Sequence, residues 1–227
     1  MDNKVIWMFR EGRSGSGWAS MALSKKLNRE LYHFDKFNQY RSLTPENLSQ
    51  TFLANKQQFS QTDQLYSTHF FFFMPLVTTI DNLYIIRTTR RNKIEQALSL
   101  LYMIMYPRGL RYYYTDMNLN RNINHFNKTL ENPISVTKQD VLRCLNTMKN
   151  HDELWAQHSV NQDKFILVYE DCESGVDITD LNVTMKWALD PEFTQKTPEY
   201  KTKAFVNYDQ IVDWCNDYLA NNTFTQY

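Results

Sequence analysis

Glycine is scarce in this chain: only five of the 227 residues are glycine, and three of those, Gly12, Gly15 and Gly17, fall within six positions. Cysteine is also scarce. The three cysteines lack the spacing of a metal site, which favours reduced, mostly buried thiols in a reducing compartment. An excess of one charge is absent as well, since 25 basic residues balance 25 acidic ones. This balance disfavours a protein that binds nucleic acid or membrane surfaces by overall electrostatics.

Long apolar runs are missing too. The longest, 70–77 and 98–106, fall far short of the roughly 20 residues of a membrane-spanning helix. Residues 1–11 carry charges on both sides of a short apolar run and lack the core of a secretory signal. We therefore expect a cytoplasmic protein without a membrane segment. The hydrophobic content of 42% is enough for a full core, and we predict one domain over residues 1–227.

The clustered glycines lie between a predicted strand and a predicted helix. The apolar run Val5–Phe9 predicts a buried strand, and residues 18–27 predict a helix. A glycine-rich turn in this position presents backbone N–H groups and a helix N-terminus to an anion, and Arg13 adds a fixed positive charge. A tight connection without a ligand is the alternative interpretation. The Gly-Lys-Ser/Thr ending of ATP-binding loops is absent, which disfavours a kinase or ATPase.

A basic cluster follows the second clear strand, Leu83–Thr89. It contains Arg87, Arg90, Arg91 and Lys93. Apolar residues at helical spacing then predict a helix that ends before Pro107. Ligands of parallel sheets bind at the carboxyl ends of strands, so this cluster predicts a second anion site, with a solvated charged face as the alternative.

Strands and helices that alternate along the chain predict an α/β fold, with a parallel sheet of about four to five strands flanked by helices. The aromatic segment 107–135 is a candidate lid over an acceptor, with partly helical packing as the alternative. Thr137 and Asp140 have the spacing of a helix N-cap and its partner. We expect two further helices, over Val176–Leu189 and Tyr208–Leu219.

Four motifs, in order along the chain, resemble those of sulfotransferases that use 3′-phosphoadenosine-5′-phosphosulfate (PAPS). Gly12–Trp18 resembles the family's 5′-phosphosulfate loop. Arg91, followed eight positions later by Ser99, resembles the 3′-phosphate site and is closest to the bacterial trehalose-type branch. Ser67-Thr68-His69 is similar to the Thr-His that carries the catalytic base of cytosolic members. Phe165–Asp171 is similar to the Tyr-Glu-Asp segment that closes a late core strand.

The resemblance implies a P-loop-like fold and a metal-independent, in-line transfer of a sulfuryl group from PAPS to a hydroxyl of a carbohydrate or small metabolite. It implies that Arg91 and Ser99 hold the 3′-phosphate, with a contribution from Arg90, and that His69 is the catalytic base. Arg13 would both bind the cofactor and stabilise charge during the transfer. The other implied cofactor-binding residues are Ser14, Gly15, Ser16, Gly17 and Trp18. Trp18 would stack on adenine, with core packing as the alternative.

The chain departs from the family pattern in two places. Gly17 stands where threonine is frequent, and the C-terminal Arg-Lys-Gly-x-x-Gly motif is missing, with Lys196, Lys201 and Lys203 as candidate replacements. Because Golgi-type members use an acidic base, rivals to His69 remain after the first helix: Glu30, His33 and Asp35. The alternative functions are a P-loop-type nucleotide or metabolite kinase and a catalytically inactive, sulfotransferase-like binding module.

Overall fold

The computed structural model describes residues 4–12, 14–34, 45–105, 133–187 and 199–225. The chain divides into two compact units. The first consists mainly of Met1–Arg91 and Asn150–Phe193, and the second of Asn92–Lys149 and Thr194–Gln226. The expectation of one domain over the whole chain stays a prediction.

The first unit is built on a parallel sheet. Its five strands are β1 Val5–Arg10, β2 Glu30–His33, β3 Gln64–Thr68, β4 Leu83–Thr89 and β5 Asp163–Val168. They lie in the order β2-β3-β1-β4-β5, and every neighbouring pair is parallel. In the register, Phe9 of β1 is opposite Thr68 of β3 on one side and Arg87 of β4 on the other. The predicted α/β class, with a parallel sheet of this size flanked by helices, is confirmed.

Both faces of the sheet are covered, because every residue of β1 is buried. Trp7 and Phe9 point into one apolar cluster, whereas Ile6 and Met8 point into another. Alternate residues of a strand project to opposite faces, so a continuous apolar run such as this one belongs to a strand covered on both sides. The helices of this unit are α1 Ser16–Leu27, α2 Pro45–Ala54 and α3 Met74–Val77.

The second unit is helical. Its helices are α4 Lys93–Met105, the first part of α5 Lys138–His158, α6 Glu199–Ala204 and α7 Tyr208–Asn221. The last turns of α5 belong to the first unit. Leu98 of α4, Leu145 of α5 and Ile211 of α7 share one apolar cluster. The helices predicted to follow Arg91 and Thr137 and to begin at Tyr208 are therefore confirmed.

The helix expected over Val176–Leu189 is wrong. The segment instead forms an antiparallel pair, β6 Val176–Ile178 and β7 Val183–Met185, with one turn of 3₁₀ helix between them. Asn182, within this segment, has a φ of 51°, which a right-handed helix does not allow. In β7 the alternate residues Val183 and Met185 are buried, and in β6 Ile178 is buried whereas Asp177 is exposed. This period of two outweighs the helical spacing.

The three cysteines are free and buried, as predicted. Burial raises the pKa of Cys172 to about 12 and that of Cys215 to about 11, so these thiols stay protonated and unreactive near neutral pH. Within the described ranges, no helix has both the length and the apolar character that a membrane crossing requires.

Candidate functional site

The carboxyl end of β1 leads into the turn before α1. Gly15 is the N-cap of α1 and has a φ of 69°, in the left-handed region that glycine adopts without strain. A side chain here would collide with the ring of Tyr169, whose Cε2 lies 2.6 Å from the position of a Cβ atom. The turn therefore needs glycine for two reasons: its backbone conformation and the aromatic ring that lies directly on it.

Ser14 fastens this turn to the sheet. Its hydroxyl donates to the Glu11 carbonyl at 2.8 Å and, with its one proton thus used, accepts from the Thr88 hydroxyl at 2.8 Å. The Glu11 N–H also donates to the Thr88 carbonyl, at 3.3 Å. Ser14 is buried, and its side chain holds the turn against β4. Its backbone N–H also donates to the Glu11 carbonyl, at 3.4 Å.

The N-terminus of α1 is suited to an anion. Its first turn contains no acidic residue, and Gly15 provides no side-chain cap. The N–H groups of a first helical turn have no acceptor within the helix, and the helix dipole adds positive potential there. Ser16 is buried at this end of the helix. The predicted strand, glycine turn and helix are therefore present, and binding of a phosphosulfate at this turn stays a prediction.

Trp18 lies in the apolar cluster beneath α1 and is only 6% exposed. Its ring centroid is 6.4 Å from that of Trp187. These contacts support the core-packing alternative, and stacking of Trp18 on adenine stays a prediction.

The basic cluster separates into residues with different roles. Arg87 is fully buried and pairs with acidic side chains, so it is not part of an anion site. The Arg90 guanidinium lies 4.5 Å from the ring centroid of Tyr169, and its Nε is 3.4 Å from Glu170 Oε1. The same ring lies on Gly15, so the glycine turn and Arg90 both contact Tyr169.

Arg91 is more exposed than Arg90. Its guanidinium donates to Asp171 at 2.6 Å, and its backbone N–H donates to Glu170 at 3.0 Å. The hydrogen bond to Asp171 raises the pKa of Arg91, which stays positively charged. The side chain is 50% exposed, so this ion pair is open to exchange with a competing anion.

Ser99 belongs to the second unit and is buried on α4. Gln96 is buried about one turn before it and Lys93 about two turns before it, and Lys93 Nζ lies 3.4 Å from Gln96 Oε1. A polar stripe therefore runs along this side of the helix. The pairing of Ser99 with Arg91 around one phosphate stays a prediction.

His69 follows directly after β3, on the other side of β1 from β4. Its Nδ1 lies 2.6 Å from the carbonyl oxygen of Arg10, the last residue of β1. A carbonyl can only accept, so Nδ1 carries the proton, and Nε2 of the neutral ring is the basic nitrogen. This is the tautomer that a general base with an Nε2 lone pair requires.

The structure ranks the rivals of His69. Glu30 is the first residue of β2 and is opposite Gln64, the first residue of β3, so it lies at the amino edge of the sheet. The glycine turn is at the opposite, carboxyl edge, so Glu30 is too far from the turn to act as a base for a reaction there. His33 ends β2 at the carboxyl edge, but β3 separates this strand from β1.

Some predictions concern residues outside the described ranges. Arg13, Asp35 and Lys196 lie there, as does most of the proposed lid, 107–132. Lys201 and Lys203 belong to α6 in the second unit, where Lys203 is exposed.

Sequence reasoning missed a buried ionic network below the site. Arg87 joins Glu11 at the end of β1 to Asp152 of α5, and Thr89 also donates to Glu11. The sequence did contain a signal: the strand over residues 83–89 was expected to be buried, and Arg87 lies within it. A buried arginine needs an acidic partner, because burial of an unpaired charge is unfavourable.

The connections of the sheet also favour a ligand at this edge. After β1 the chain returns to the sheet at β2, on one side, whereas after β4 it returns at β5, on the other side. Adjacent strands whose connections diverge leave a crevice at their carboxyl ends, where ligands of open α/β sheets bind. The glycine turn follows β1, and the Arg90–Arg91 pair follows β4, so both border this crevice.

No protein-family model matches the chain, and no curated protein matches it significantly. Among the residues that the structure describes, no three His, Cys, Asp or Glu side chains are grouped as a metal site.

Proposed function

We propose that this protein is a PAPS-dependent sulfotransferase that transfers a sulfuryl group to a hydroxyl of a carbohydrate or small metabolite. One observation carries the proposal: the glycine turn after β1 and Arg90 after β4 both lie against the ring of Tyr169, at the carboxyl edge of the sheet. In this proposal one anionic group of the nucleotide binds at the N-terminus of α1 and the other at Arg90 and Arg91.

The donors present fit such a nucleotide. The first turn of α1 has no acid to compete with a 5′-phosphosulfate. In this proposal Arg13 and the backbone N–H groups of residues 15–18 bind that end, since the Ser14 N–H donates to the Glu11 carbonyl. Arg91 and Ser99, with Arg90, bind the 3′-phosphate. When bound, PAPS supplies an activated sulfuryl group on a phosphate leaving group.

The remaining chemistry belongs to the protein. Nε2 of His69 accepts the proton of the acceptor hydroxyl, because the Arg10 carbonyl holds the Nδ1–H tautomer. Arg13 and the donors of the turn stabilise the charge that develops during transfer, and one well-placed donor of this kind contributes roughly 3–4 kcal/mol. In-line transfer without a metal remains part of the proposal. The free, buried cysteines suit a cytoplasmic enzyme.

Calorimetry tests this assignment directly. The protein is titrated with adenosine 3′,5′-bisphosphate and with ATP, each with and without magnesium. We expect the bisphosphate to bind far more tightly than ATP and to need no magnesium. Preference for ATP together with dependence on magnesium would favour the kinase alternative and refute the proposal.

Turnover separates an enzyme from an inactive binding module. The bisphosphate would bind to both, so the measurement is transfer of ³⁵S-sulfate from labelled PAPS to a panel of sugars and small alcohols. Transfer to a hydroxyl supports the proposal. Tight bisphosphate binding with no transfer across the panel, and no change on His69→Ala, would support the binding module.

A further inference from the structure

A buried carboxylate lies directly before the glycine turn. Glu11 is fully buried, and both of its carboxylate oxygens accept hydrogen bonds. Arg87 donates to Oε1 through Nε at 2.8 Å and also through Nη2, whereas Thr89 donates to Oε2 at 2.9 Å. The side chain of Glu11 therefore has one position, which β4 determines.

Aromatic rings enclose this ion pair. The Arg87 guanidinium lies 5.9 Å from the ring centroid of Phe71 and 6.0 Å from that of Trp155. Its third nitrogen, Nη1, donates to Asp152 at 2.8 Å. A buried charge pair has a fixed geometry, because any donor or acceptor that lost its partner would be left unsatisfied away from solvent.

The peptide unit between Arg10 and Glu11 links this network to His69. The carbonyl of that peptide accepts from His69 Nδ1 at 2.6 Å, and its N–H donates to the Thr88 carbonyl at 3.3 Å. A trans peptide is planar, so its carbonyl and N–H turn together. Whatever holds the Glu11 backbone in place therefore also sets the direction of the carbonyl that His69 binds.

We propose that Glu11 is a positioning residue for His69: its carboxylate, held by Arg87 and Thr89, orients the Arg10–Glu11 peptide and thereby selects the Nδ1–H tautomer of the histidine. The same residue supports the glycine turn, because its carbonyl accepts from the Ser14 hydroxyl. The role of His69 as a base rests on the proposed function, whereas the tautomer does not.

The test compares substitutions on the two sides of Arg87. Glu11→Gln removes the charge that holds the peptide, whereas Asp152→Asn removes the other carboxylate partner of Arg87 and leaves the Glu11 contacts in place. Both lose a buried ion pair, so a merely structural role predicts similar behaviour for both variants. Thr89→Val, which deletes one hydrogen bond to Glu11, is a milder variant if Glu11→Gln does not fold.

The readout is the ¹⁵N spectrum of the imidazole nitrogens, with the His69 signals assigned by comparison with His69→Gln. We expect the Nδ1–H tautomer in the wild type and in Asp152→Asn, and a mixture of tautomers in Glu11→Gln. Thr89→Val should shift the populations in the same direction by a smaller amount. An unchanged His69 pattern in the folded Glu11 variant, or in Thr89→Val if that variant alone folds, would overturn the proposal. An equal change in Asp152→Asn would do so too.

Kinetics add a second readout. For an active enzyme we expect Glu11→Gln to lower kcat about 10- to 100-fold with little change in the KM for PAPS, the range expected when a reacting group is misplaced. A rise in KM with unchanged kcat would contradict a positioning role. A shifted tautomer in a protein without sulfuryl transfer would sustain the role of Glu11 and refute only the proposed function.

Discussion

At the scale of single residues, the site depends on which polar atoms already form hydrogen bonds or ion pairs within the protein. The Ser14 hydroxyl is used within the turn, and Arg87 is used by Glu11 and Asp152. Arg91 is half-exposed and pairs with Asp171. The proposed function therefore assigns ligand binding to backbone N–H groups and the outer arginines, and the role of base to Nε2 of His69.

His69→Ala should lower the turnover of sulfuryl transfer about 10²- to 10⁴-fold, the usual contribution of a general base. The substitution removes the nitrogen that accepts the acceptor's proton and leaves the glycine turn intact. Steady-state kinetics with saturating PAPS measures the effect, and calorimetry with adenosine 3′,5′-bisphosphate checks that the nucleotide still binds. Full activity of His69→Ala would transfer the role to another base, and His33→Ala would then be the first variant to examine.

Arg91→Ala should weaken the binding of adenosine 3′,5′-bisphosphate about 10- to 100-fold, since a charge-assisted hydrogen bond contributes roughly 1.5–3 kcal/mol. Adenosine 5′-monophosphate lacks the 3′-phosphate and is the matched control ligand, whose affinity should change little. Calorimetry measures both. An equal loss for the two ligands, or no loss for either, contradicts the assignment of Arg91 to the 3′-phosphate.

At the scale of elements, local sequence patterns predicted the helices and strands correctly wherever the tertiary packing favoured the same structure. The start of α5 illustrates this: Thr137 Oγ1 accepts from the Asp140 N–H at 3.2 Å, and Asp140 accepts in return from the Thr137 N–H at 3.3 Å. This reciprocal pair is a capping box, and both residues can be recognised in the sequence. The pair β6–β7 shows the opposite case, because two strands of three residues each need a partner before they form.

Thr137→Ala and Asp140→Ala should each lower the free energy of unfolding by about 1 kcal/mol, the usual loss for a helix cap. The double variant should lose less than the sum, because the two side chains bind each other. Urea unfolding measures all three. Thr147→Ala is the control within the same helix, since its hydroxyl bonds only the Arg143 carbonyl one turn back and its loss should be nearly neutral. Additive losses would contradict the box.

At the scale of the whole molecule, burial sets the charge states of the groups inside the first unit. His151 stacks on Phe71 with ring centroids 4.2 Å apart. Burial, with a further contribution from Arg87 and against the effect of Glu11, lowers the pKa of His151 from 6.5 to about 4. The folded protein thus holds this histidine neutral at pH values at which the unfolded chain binds a proton.

Stability should therefore fall as the pH falls from about 6.5 to about 4, because only the unfolded state takes up the proton in this window. The lowered pKa corresponds to roughly 3 kcal/mol by the acid end. Urea unfolding at a series of pH values should show a smaller decline for His151→Gln than for the wild type. His158→Gln, in the same helix, is the control. A decline of equal size in all three proteins would show that His151 does not carry the acid sensitivity.

Local chemistry was readable from the chain alone: the buried run of β1, the glycines of the turn, the capping pair of α5 and the parallel α/β class. Each of these depends on neighbours within a few residues or on the period of burial. Only the tertiary structure showed that Arg87 pairs with Glu11, 76 residues away, instead of contributing to the basic cluster, and that Tyr169 lies on Gly15. Both follow from strand order, which brings distant side chains together, and the desolvation of a buried charge then dictates its partner.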